Sequence, residues 1–95
     1  MEQIKSELIE RIVPDTSVII EGLLSDKVRN DHIKSKEIII HEAVIAELEH
    51  QANMGKAIGF LGLDEIKRIK KLSSQKGFEL SFKGSRPKAA EIRHA

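Results

Sequence analysis

The chain has no cysteine. Disulfides, cysteine-based zinc sites and thiol nucleophiles are therefore excluded. It also lacks Trp and Tyr and has three Phe, so a core must be built from aliphatic side chains. Ile alone occurs fourteen times. Aromatic side chains on which single-stranded bases stack are not interleaved with its basic residues. No apolar run approaches the roughly 18 residues of a membrane span. The opening Met1-Glu2-Gln3-Ile4-Lys5-Ser6-Glu7 lacks the basic-then-apolar order of a signal peptide. A cytoplasmic protein without a membrane partner is expected. An excess of one charge is missing too: 33% of residues are charged, yet the net charge is +1. Any nucleic-acid binding must then come from a local patch.

What is present is 95 residues, 40% of them hydrophobic, which suits one small domain or part of a larger one. Residues 2 to 9, with Ile4, Leu8 and Ile9 among polar neighbours, read as a weak helix or a leader. Arg11-Ile12-Val13-Pro14 is too short and too branched for a helix, so a strand is expected over 11–14. After the Asp15-Thr16-Ser17 turn come Val18, Ile19, Ile20, Leu23 and Leu24, a helix that Asp15 or Thr16 can cap and Gly22 bends or ends. Ser25 or Asp26 can cap a second short helix. The branched run Glu37-Ile38-Ile39-Ile40 predicts a strand over 37–40, covered on both faces. Residues 42–53 predict a helix with Val44, Ile45, Leu48 and Ala52 on its apolar face. Gly55, Gly59 and Gly62 then mark a loop, and Asp64 caps a helix carrying Ile66, Ile69 and Leu72 that ends near Gly77. Phe78, Leu80 and Phe82 alternate with polar residues, predicting a strand over 78–82. Gly84-Ser85-Arg86 is a turn, and Pro87 opens a last helix. Strand and helix signals alternate three times. That order predicts an α/β doubly wound parallel sheet, with helices on both faces and right-handed crossovers. Open sheets usually have about 4–6 strands, so three strands are expected here and later ones beyond residue 95.

Several residues could carry chemistry. An acid just past a buried strand, such as Asp15, sits at the sheet mouth where ligands collect. Taken alone, Asp15-Thr16-Ser17 reads first as a helix cap. The hydroxyls of Thr16 and Ser17 either steer a metal-bound water or phosphate, or serve the same cap. Glu47 borders the apolar face of its helix, as do Glu42 and Glu49, and periodicity does not choose among them. Two Glu-x-x-His pairs, Glu47 with His50 and Glu91 with His94, have the spacing found in di-iron helical bundles, but the strand signals argue against such a bundle. Lys67, Arg68, Lys70 and Lys71 form a basic helix face. Lys83, Arg86, Lys88 and Arg93 form a second basic group. Phosphate contacts by either would be salt-dependent. Gly55-Lys56-Ala57-Ile58-Gly59 lacks the Gly-Lys-Ser/Thr ending of a phosphate loop.

Taken together, Ile12-Val13-Pro14-Asp15-Thr16-Ser17-Val18-Ile19-Ile20 and Ile38-Ile39-Ile40-His41-Glu42-Ala43-Val44-Ile45-Ala46-Glu47-Leu48-Glu49 resemble a PIN domain. The stretch from Gly59 to Ala95 resembles PIN domains fused to archaeal RecA-like ATPases that often carry a KH domain. The resemblance implies residues 1–95 as the N-terminal part of a PIN-like metal-dependent nuclease domain. It implies Asp15 and Glu47 as catalytic, metal-binding acids for Mg2+ or Mn2+, supported by Thr16 and Ser17. Further implications are RNA or DNA as the partner of a parent ATPase, and a chain inactive by itself because the family's later acids would follow. An uncovered first strand invites homo-oligomerisation. The alternative is a non-catalytic interaction or oligomerisation module of such a motor. If Asp15 and Glu47 converge, repulsion between them should raise at least one of their pKa values.

Overall fold

The structure, a computed structural model, describes residues 8–84. In chain order its elements are β1 (Leu8–Ile12), α1 (Thr16–Glu21), α2 (Leu24–Arg29), β2 (Lys34–His41), α3 (Glu42–Asn53), α4 (Ala57–Lys76) and β3 (Glu79–Lys83). The strands form one parallel sheet in the order β1-β2-β3. Ile38 lies opposite Ile12 on one side and Leu80 on the other. This row and Ile40 meet Ile19, Leu24, Val28, Leu48, Ile66, Ile69 and Leu72 in a single aliphatic core. The α/β parallel fold expected from the sequence is thus present. The four described helices all contribute to the core face of the sheet. The helix expected from Pro87 lies outside the described residues, as do Glu91, His94, Arg86, Lys88 and Arg93.

The opposite face is tied by one carboxylate. Glu37 on β2 accepts from Arg11 Nε on β1 at 3.1 Å and from the Ser81 hydroxyl on β3 at 2.7 Å. These hydrogen bonds, Ser81 first and Arg11 second, hold its carboxyl below the usual range.

Boundaries differ from the sequence expectation in instructive ways. The first strand covers Leu8–Ile12 instead of 11–14, so Leu8 and Ile9 belong to a strand and not to a helix or leader. Four of its five residues are exposed, which removes the alternation that would have revealed it. Pro14 lacks the N–H a further ladder bond needs. The second strand starts at Lys34 because the polar lead-in pairs with β1, Leu8 opposite Lys34. The third covers Glu79–Lys83, one residue later than expected. Asp15, and not Thr16, caps α1, and Gly22 ends it in the left-handed conformation (φ 75°). Neither Ser25 nor Asp26 caps α2.

The largest departure is at the glycines. Gly59 and Gly62 are not loop residues but lie inside α4, and Asp64 is interior to that helix instead of capping it. A Cβ on Gly59 would stand 2.6 Å from the Leu48 carbonyl oxygen and against the Ala52 backbone. One on Gly62 would lie 2.5 Å from Leu48 Cδ2. Glycine costs a helix interior about 1 kcal/mol relative to Ala, and here it permits close approach of α3 and α4. Turn-type composition therefore marks a helix–helix seam.

Candidate functional site

In a parallel sheet every strand points the same way, so the loops leaving β1 and β2 emerge at one edge. Asp15 follows the end of β1 by three residues. Its Oδ1 accepts from the Val18 backbone N–H and from the Ser17 hydroxyl, both at 3.0 Å. The two donors favour the ionised form, and the carboxyl is held below the ordinary aspartate range, the Val18 N–H being the larger cause. The carboxylate is exposed and fixed in orientation. Thr16 opens α1 and is half-buried.

Helix α3 begins directly after β2. His41 occupies its N-cap and accepts from the Ala43 N–H through Nδ1 at 3.0 Å. Glu47 lies five residues in, about 8 Å along the axis. It is half-buried, and Oε2 accepts from Gln51 Nε2 at 2.7 Å. The partner of Glu47 is therefore the residue at i+4 and not His50. Strand direction brings the segments bearing Asp15 and Glu47 to the same end of the sheet, each beyond a neighbouring strand. Among the described residues no group of three or more His, Asp or Glu forms a ready metal cage. The rise expected from like-charge repulsion is not found at Asp15, where the hydrogen bonds dominate.

Two residues here escaped the sequence reading. Gln51 Oε1 is buried without a hydrogen-bond partner among the described residues, while its amide nitrogen holds Glu47. The Glu-Gln spacing of four was the visible signal. Glu65 is 0% exposed. It accepts from the Ser25 backbone N–H and hydroxyl, both at 2.7 Å, and from Arg68 Nε at 3.1 Å. It thus satisfies a backbone donor in the first turn of α2 from across the fold. Its position four residues before Ile69 and seven before Leu72 places it on the apolar stripe, and that was the signal.

No protein-family model matches the chain. A KH and PIN-domain containing protein of Methanocaldococcus jannaschii is 36% identical over 83 residues, 87% of this chain and 13% of that protein. The Holliday junction branch migration ATPase PINA of Sulfolobus acidocaldarius is 36% identical over 62 residues, 65% of this chain and 12% of that protein. The chain spans about an eighth of the length of these relatives. A solved domain of a functionally unknown Methanocaldococcus jannaschii protein superimposes with a TM-score of 0.83 at 36% identity, covering 90% of this chain and 61% of that one. The resemblance carried by the Asp15 and Glu47 segments extends across the described fold, and the chain is a PIN-like domain related to those of archaeal PIN-domain proteins and PIN ATPases.

Proposed function

We propose that this chain is part of a PIN-like metal-dependent nuclease domain of a nucleic-acid-processing ATPase, with little or no hydrolytic activity by itself. The observation that carries the reading is the common sheet end of Asp15 and Glu47 in a fold shared with PIN-domain relatives. Both acids would hold Mg2+ or Mn2+, hard cations that take oxygen ligands. Their donor chemistry fits such an ion, and two carboxylates supply part of its ligand set. A cation bound there would activate water and stabilise negative charge on a phosphodiester.

The chain's own residues prepare this role. Ser17 and the Val18 N–H keep Asp15 ionised and oriented. Gln51 restrains Glu47. Thr16 is the remaining hydroxyl beside the first acid. RNA or DNA would be the partner of the parent protein, in the cytoplasm. No described helix is long and apolar enough to cross a membrane. The second reading is a non-catalytic interaction or oligomerisation module of such an ATPase; among the described residues no group of three or more acids or histidines stands ready to hold a metal. The outer side of β1, which has no strand partner among them, would be its point of self-association.

A paired assay decides. The 95-residue chain, the full-length parent and the Asp15→Asn and Glu47→Gln variants of that parent are incubated with magnesium or manganese on single-stranded RNA and on branched DNA. Cleavage by the parent, lost in both variants of the parent and nearly absent from the short chain, is expected. A parent that never cleaves would replace the nuclease reading with the module.

A further inference from the structure

Helix α4 uses its two sides differently. Glu65, Ile66, Ile69 and Leu72 are buried against the rest of the fold, whereas Lys67, Lys70 and Lys71 face solvent. At 1.5 Å of rise and 3.6 residues per turn, the three lysines lie within about 6 Å along the axis and over roughly 100° of the helix surface. They form one compact patch.

The patch is not neutralised by its surroundings. None of the three ammonium groups has an ion pair among the described residues. Nearby acids are engaged elsewhere: Glu65 holds Arg68 and the Ser25 donors, Asp26 holds Arg29, and Asp31 holds Lys76. Asp64, one turn ahead of Lys67, is exposed and makes no ion pair with it. With its charge counted, an excess of positive charge remains. The negative end of the helix dipole acts only within the last turn, and α4 runs five residues beyond Lys71, to Lys76. Lys67 also repels Lys70 and Lys71 at spacings of three and four, a repulsion that phosphate oxygens between them would relieve.

The partner follows from what the patch offers and lacks. A DNA duplex presents one negative charge per about 1.7 Å of its axis, and lysine meets phosphate as a point charge. No aromatic side chain lies between these lysines for a single-stranded base to stack on. RNA duplexes are recognised in part through their 2′-hydroxyls, whereas three ammonium groups address phosphate alone. The apolar side of α4 is spent on the core, so none is left to enter a lipid interface. We infer that the Lys67, Lys70 and Lys71 face of α4 docks on the phosphate backbone of a DNA duplex without reading its bases. The inference rests on nucleic acid being the partner of the parent protein, and not on hydrolysis at Asp15 and Glu47.

The test is a titration of the 15N-labelled 95-residue chain with a short DNA duplex over a range of salt, with EDTA present so that cleavage plays no part. Amides of Lys67 to Lys71 are expected to shift saturably, and duplexes of unrelated sequence to bind alike. Lys67→Gln, Lys70→Gln and Lys71→Gln should each flatten the plot of log affinity against log salt by about 1. Lys56→Gln, at the other end of the helix, should leave the slope unchanged. A triple variant with an unaltered slope, an equal loss in Lys56→Gln, or tighter binding of an RNA duplex, a single strand or poly-glutamate would overturn the inference. Cleavage by the parent alongside an unaltered slope would remove this surface and leave the nuclease reading standing. The expected slopes with a parent that never cleaves would do the reverse.

Discussion

The carboxyl end of the sheet presents acids, Asp15 and Glu47, where the amino end presents Lys34, Lys36 and Lys76. The contrast follows from handedness and direction. Helices α1 and α3 begin where β1 and β2 end, so their N-terminal N–H groups and positive dipole ends collect at the carboxyl edge and favour carboxylates. Helices α2 and α4 finish where β2 and β3 begin, with Lys27, Arg29 and Lys76 in their last turns. The two ends of the sheet thus gather different groups, although the net charge is only +1. Composition averages this contrast away.

The sharpest way to break the contrast is to loosen the helices that span both ends. Glu65→Ala removes the buried carboxylate joining α4 to α2 and strands the Ser25 donors. Urea unfolding should show a loss of about 3 kcal/mol. Next in size, Gly59→Ala forces a methyl into the α3 backbone. Chemical denaturation should register about 2 kcal/mol of destabilisation, whereas Gly55→Ala, with open space around it but a positive φ, should cost less.

A smaller effect separates the ends by pH and salt. Asp15 and Asp31 both have lowered pKa values in the folded state. Each therefore contributes stability that is present above the unfolded aspartate pKa of about 3.9 and is lost as pH falls through the folded value. Acid unfolding curves of Asp15→Asn and Asp31→Asn should each be flatter below about pH 4 than that of the parent. The causes differ: Asp31 is held chiefly by the Lys76 hydrogen bond and charge, and Asp15 by a backbone N–H and a hydroxyl. High salt should therefore erode the Asp31 contribution and leave most of the Asp15 contribution.

The sequence made part of this legible. Ile38 and Ile40 marked the central strand, residues 42–53 matched α3 to its ends, and Asp15 was readable as a cap. The glycines of α4 misled because local composition cannot report that another helix passes within contact distance. The exposed strand β1 hid because its residues do not alternate, its existence resting on pairing with Lys34 to Ile38. At the site, Asp15 and Ser17 form a local hydrogen-bonded unit that residue types suggest. Glu65 meets Ser25 from forty residues away, and no local pattern encodes that pairing.

A divalent cation should settle at the Asp15 and Glu47 end of the sheet and not at its lysine-bearing amino end. Manganese titration of the 15N-labelled chain, followed by paramagnetic broadening of amide signals, tests this most directly. Signals of Asp15, Ser17 and Glu47 should broaden first, those of Lys34 to Lys36 should persist, and Asp15→Asn should abolish the selectivity. Broadening that starts at the amino end, or that spreads evenly and ignores Asp15→Asn, would contradict the account.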